Sequence, residues 1–231
     1  MPQNRTRKIV VTAVLSAVTI VLGLLPFGGY IPFFGISITI LAIPVIIGAI
    51  LEGPIVGAGI GLIFGLTSLY QAATAPKSPL DPLFVNPLLS VLPRMLIGPV
   101  ALLVWSALKA IGRLLSRFAI WFFSVVGTSI SLRLSRFASK YFRAVGKSIA
   151  LILTGFLGSY ANTAFVLGMF GLLFARDTRV TEVLGDNVWK ALGGIALASG
   201  APEAAVAGVV VLIIIAAYWQ FAIGKKKGSN L

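Results

Sequence analysis

Residues 9–51 form a run of 43 amino acids without a single charge. Soluble domains carry charge on roughly 25% of their residues, so a run of this length is foreign to them. Three more such runs follow: 28 residues at 148–175, 24 at 53–76 and 21 at 204–224. A helix needs about 20 mostly apolar residues to cross the hydrocarbon core of a bilayer. The chain of 231 residues, 58% hydrophobic and only 11% charged, therefore reads as a multi-pass membrane protein.

Missing residue types narrow the chemistry. The sequence has no Cys, which excludes disulfides, thiolate nucleophiles and zinc–sulfur sites. It has no His, which excludes imidazole bases and His-ligated metals. Its six acidic residues form no close pair suited to acid–base catalysis, and no GxxxxGK[ST] phosphate loop occurs. An enzyme is not expected, nor a cofactor, nor a metal.

Hydrophobicity and turn residues divide the chain into six helices, at 9–25, 36–51, 55–72, 86–108, 148–175 and 201–223. The whole of 1–231 reads as one all-α membrane domain. A charge-free aromatic loop, PFGGYIPFFG at 26–35, joins the first two helices. Helix 3 places Gly57, Gly61 and Gly65 on one face, where backbones can approach closely. In helix 4, Pro93-Arg94 predicts a kink carrying a cation. Residues 176–200 read as a mixed-charge loop.

Between helices 4 and 5, residues 109–147 hold eight basic residues and no acid. The apolar centre of this segment is too short to span. Arg133, Arg136, Lys140, Arg143 and Lys147 repeat at spacings of three and four, one helical stripe. The segment is expected to be a basic amphipathic helix on the cytoplasmic membrane surface, with anionic lipid as its partner. Docking to a protein is the rival reading.

Six spans leave both termini on one side. That side then carries fourteen basic residues and the other four: Lys77, Arg176, Arg179 and Lys190. The positive-inside rule places the termini in the cytoplasm. The net charge of +13 thus reflects topology and lipid, and no nucleic-acid partner is expected.

Polar groups at membrane depth are expensive and usually functional. Arg94, Asn162 and Glu203 are the candidates. Arg94 either bridges to Glu203 or receives a ligand anion, which its forked guanidinium suits. Asn162 either bonds a neighbouring helix or contacts the same ligand. With the aromatic loop above them, contributing Tyr30 and Phe34, these groups suggest a pocket for a small anionic or amphipathic solute. On helix 1, Ala13 and Ala17 form a small-residue face suited to close contact with another helix.

The segments ITILAIPVIIGAILEGPIVGAGIGLIFGLTS (38–68), NPLLSVLPRMLIG (86–98), GSYANTAFVLGMFGLLF (158–174) and APEAAVAG (201–208) occur here in order. With these, the chain resembles the substrate-binding S components of energy-coupling factor (ECF) vitamin transporters. The resemblance covers nearly everything except 109–147, which is longer and more basic than the family's usual connection. It is most similar to the pantothenate- and folate-type branch, and LPRMLIG and NTAFVLG lean towards pantothenate. The resemblance implies that a vitamin is bound from outside beneath the loop between helices 1 and 2. It implies docking, through the Ala13 and Ala17 face, on a scaffold transmembrane subunit that carries two ATPase subunits. It further implies toppling in the cell membrane to release the vitamin inside. S components for folate, cobalamin or riboflavin, a membrane scaffold without a solute, and a self-sufficient facilitator are the alternatives.

Overall fold

The computed structural model describes residues 5–25, 29–33, 36–125 and 129–228. These residues are helical apart from one hairpin and short connections. The order is α1 (Arg5–Leu24), β1 (Tyr30–Phe33), β2 (Ile36–Thr39), α2 (Ala42–Glu52), α3 (Pro54–Thr74), a 3-10 turn (Asp81–Val85), α4 (Pro87–Ser90), α5 (Leu92–Val125), α6 (Ser129–Phe174), α7 (Thr178–Leu184), α8 (Val188–Ile195), a wide turn (Ala196–Gly200) and α9 (Ala201–Gly228). Among the described residues, five helical stretches are long and apolar enough to cross a membrane: Arg5–Leu24, Pro54–Thr74, Pro87–Phe118, Val145–Phe174 and Val188–Phe221. The molecule is an integral membrane protein.

The second expected helix differs most. Its first residues, Ile36-Ser37-Ile38-Thr39, form strand β2, paired antiparallel to β1 with Tyr30 opposite Thr39 and Phe33 opposite Ile36. Alternating β-branched residues favour a strand, and continuous apolarity hid that alternation. The remaining helix, α2, has 11 residues, or about 16 Å, roughly half the hydrocarbon thickness. It is buried almost throughout, from Ala42 to Ala49. Non-helical backbone at membrane depth survives only inside protein or beside a polar cavity.

Three further expectations are corrected. The 86–108 helix is broken after α4, and Pro93 opens α5 rather than kinking its middle. A proline is tolerated in a first turn, where its missing N–H has no helical acceptor. The 176–200 loop is largely helical, because Asp177 and Asn187 cap α7 and α8 by accepting the N–H groups of Arg179 and Lys190. Arg179 also clasps Asp177 and holds its carboxyl below the usual range. Finally, the basic segment is not a separate helix. Its first half continues α5 to Val125 and its second half opens α6 at Ser129. Residues 126–128 and the side chains of Arg133, Arg136, Lys140 and Arg143 lie outside the described residues.

The glycine row of α3 packs α3 onto α5. A methyl group on Gly65 would sit 2.7 Å from the Val91 Cα, and one on Gly57 would sit 2.9 Å from the Gly98 Cα. A methyl on Gly61 would strike the Arg94 carbonyl, with the Met95 Cα 3.0 Å away. These obstacles are backbone and cannot swing aside. Gly61→Ala is therefore expected to cost about 1–3 kcal/mol by overpacking. Gly59 on the same helix meets nothing within 4 Å, so Gly59→Ala should be neutral or stabilising. Thermal unfolding in detergent compares the two. Equal melting temperatures would show that α3 and α5 are not locked at Gly61.

Candidate functional site

Arg94 stands in the first turn of α5 and is only 4% exposed. Its Nη1 donates to the Leu89 carbonyl, across the break between α4 and α5. Phe64 of α3 and Phe84 of the 3-10 turn flank the guanidinium, with ring centres 5.7 and 5.5 Å from its carbon. Aromatic faces attract a cation and displace water from it. Three elements thus fix the position and direction of this charge.

Arg94 lines a cleft together with Thr39, Ser68, Gln71, Ala72, Lys77, Asp81 and Phe84. The cleft is open at its mouth; counted with the solvent there, its free space is about 380 Å³. Strand β2 forms one wall through Thr39. The opposite wall is the loop before the 3-10 turn. There the buried Asp81 carboxylate accepts the Lys77 N–H at 2.8 Å, the Ser78 N–H at 3.0 Å and the Ser78 hydroxyl at 2.6 Å.

Thr39 joins this cleft to a second polar group. Its N–H points to the Glu203 carboxylate of α9, 3.4 Å from Oε2. Ser159 of α6 also neighbours Glu203, which feels the Arg94 charge. Through its Thr39 contact, Glu203 holds the hairpin backbone. Asn162 lies one turn along α6 from Ser159 and is 3% exposed. Next to it, Thr163 packs against Gly200 at the start of α9. Two buried acceptors have no hydrogen-bond partner among the described residues, Asn162 Oδ1 and Glu203 Oε1. An unsatisfied buried acceptor costs about 1–3 kcal/mol, so each suits a ligand that supplies donors.

The other candidates are placed as follows. Tyr30 begins β1, with its side chain outside the described residues, and Phe34 lies outside them altogether. Ala13 and Ala17 are exposed on α1, far from the cleft in sequence and on a helix that buries only Thr19 and Gly23. Sequence reading missed Thr39, Ser68, Gln71, Asp81 and Ser159. Ser68 and Gln71 carried a usable signal, because they extend the face of the Gly57, Gly61 and Gly65 row by one turn. Asp81 carried none, since an acid among prolines reads as a solvated loop.

The family model described as ECF transporter, substrate-specific component, matches residues 7–215. A curated relative, the pantothenate transporter PanT of Leuconostoc mesenteroides, is 37% identical over 102 residues. That stretch covers 42% of this chain and 50% of the relative, so the chain spans about half the length of the curated relative it matches.

Proposed function

This chain belongs to the family of ECF-transporter substrate-specific components, and from that premise we propose that it captures pantothenate and delivers it through an ATP-driven ECF complex. Its family is one of transport components, not enzymes.

One observation carries the choice of ligand: a fixed, buried guanidinium lines the cleft beside Thr39 of β2, and Glu203, whose Oε1 has no hydrogen-bond partner among the described residues, reaches that same Thr39. Pantothenate is a small carboxylate with two hydroxyl groups and an amide N–H. The carboxylate suits Arg94, whose planar fork matches two oxygens. The hydroxyl and amide donors suit Asn162 Oδ1 and Glu203 Oε1. The hairpin closes the site as a lid, and Tyr30 and Phe34 are proposed as ligand contacts. The similarity to PanT leans the same way.

The proposed topology has six passes with both termini in the cytoplasm. The short α2 and the hairpin together make the second pass. Fourteen basic residues then lie on the cytoplasmic side, and the cleft opens outward. The exposed Ala13 and Ala17 face meets the scaffold transmembrane subunit, which couples the chain to two ATPase subunits.

Thermal unfolding of the purified protein against a panel of B vitamins tests this reading. A ligand at 100 times its dissociation constant adds about 2.7 kcal/mol of stability. Pantothenate is expected to raise the melting temperature clearly. Stabilisation by folate, cobalamin or riboflavin in its place would refute the assignment of pantothenate, and no response to any vitamin would refute the binding role.

A further inference from the structure

Helix α5 is longer than a membrane crossing requires. Its 34 residues extend about 51 Å, against roughly 30 Å of hydrocarbon. Some twenty residues from Leu92 suffice to cross, so α5 leaves the hydrocarbon near residue 111. The remainder should then be polar all round if it stood in water, and it is not.

Ile111, Leu114, Leu115, Phe118 and Trp121 are each 53–68% exposed. At about 100° per residue they fall within one stripe roughly 120° wide. The Phe118 and Trp121 rings are 5.8 Å apart within it. Lys109, Arg113 and Arg117 are exposed too, and their spacing of four places them on a second stripe. The centres of the two stripes lie roughly 140° apart. A helix with one apolar stripe, one basic stripe and an aromatic pair has the composition of an interfacial helix.

We propose that residues 109–121 form an interfacial anchor. Lys109, Arg113 and Arg117 bind the headgroups of anionic phospholipids, and the Ile111-to-Trp121 stripe enters the acyl boundary beneath them. Two facts favour lipid over a protein as the occupant. The segment continues a membrane-spanning helix without a break, so the leaflet is always adjacent. And 109–147 carries eight basic residues with no acid to compensate them, which matches a surface of uniform negative charge. The anchor assigns the lipid contact expected of 109–147 to named residues at the end of α5, and it is independent of which vitamin is bound.

The chain has no cysteine, so Leu114→Cys offers a single site for a fluorophore in the full-length protein. Leu103→Cys, on the 68% exposed Leu103 earlier in α5, is the control for a lipid-facing position within the span. Both proteins are reconstituted in mixed phosphatidylcholine and phosphatidylglycerol vesicles. Brominated acyl chains are expected to quench both labels. At position 114, brominated phosphatidylglycerol should quench far better than brominated phosphatidylcholine. Each basic residue near an anionic surface favours it about fivefold, so three give roughly 100-fold at low salt. Replacing Lys109, Arg113 and Arg117 by Gln should abolish the preference. Quenching at 114 by aqueous iodide but not by lipid bromine would overturn the proposal. So would equal quenching by the two lipids, or shielding that develops only when the ECF partner subunits are added.

Discussion

Arg94→Ala is expected to weaken pantothenate binding by about 30-fold to several thousand-fold. Removing one partner of a desolvated, hydrogen-bonded charge pair costs about 2–5 kcal/mol, and each 1.4 kcal/mol is about tenfold in affinity. The environment of Arg94 places it at the upper end of that scale. It is almost fully buried, and Phe64 and Phe84 keep water from its faces. Arg94→Lys should lose most of the same affinity, because an ammonium is a point charge and cannot hold two carboxylate oxygens in a plane. A purely structural Arg94 predicts otherwise. The variant would then melt lower when empty and bind pantothenate with unchanged affinity. Calorimetric affinity and unliganded melting temperature, measured on one preparation, separate the two. Glu203→Gln gives a second comparison. Its carboxylate holds the β2 backbone through Thr39, so this variant should loosen the lid, speeding pantothenate release, without imitating Arg94→Ala.

Ala13→Trp and Ala17→Trp are each expected to reduce vitamin uptake to background in cells that supply the ECF partner subunits, with ligand affinity unaltered. Helices that associate in lipid do so through small residues that let backbones approach. An indole at either position holds the partner helix away. Both alanines are exposed, and α1 buries little against its own bundle, so the substitutions should leave the fold intact. Leu103→Trp serves as control, because Leu103 is exposed on α5 outside this face. Uptake assays beside binding assays decide the matter. Normal uptake by both variants would remove this face from the docking interface.

Much of the fold was legible because charge is so costly in a bilayer. Its absence from 9–51, 53–76, 148–175 and 204–224 marks where chain must be embedded. The close approach of α3 to α5 was legible for a related reason, since a row of glycines at 57, 61 and 65 has few other uses in a membrane helix. The hairpin was not. In a soluble chain, Ile36-Ser37-Ile38-Thr39 would read as a strand at once. Here apolar neighbours on both sides absorbed it into a helix, and the competition was decided by local β-branching.

The site was half legible for the same reasons. Arg94, Asn162 and Glu203 stood out because each is an isolated polar group among apolar residues. Their relationship did not stand out. Arg94 and Glu203 invite pairing by charge; the folded chain also brings Glu203 to Thr39 of β2, and Arg94 to Leu89 and two rings. The Glu203 contact depends on where strand β2 runs, and a reading that made residues 36–51 one helix had no means to place it.

The central claim is that Arg94 and the acceptors beside the hairpin recognise pantothenate by its carboxylate and its donors. The most direct measurement is calorimetric titration of the purified protein with pantothenate and with its alcohol analogue, pantothenol, which keeps the hydroxyls and amide but lacks the charge. Pantothenate should bind tightly, and pantothenol at least about 30-fold more weakly, the same lower bound that a broken charge pair sets. In Arg94→Ala the two ligands should bind alike. Equal affinity of the unsubstituted protein for both, or no binding of either, would contradict the account.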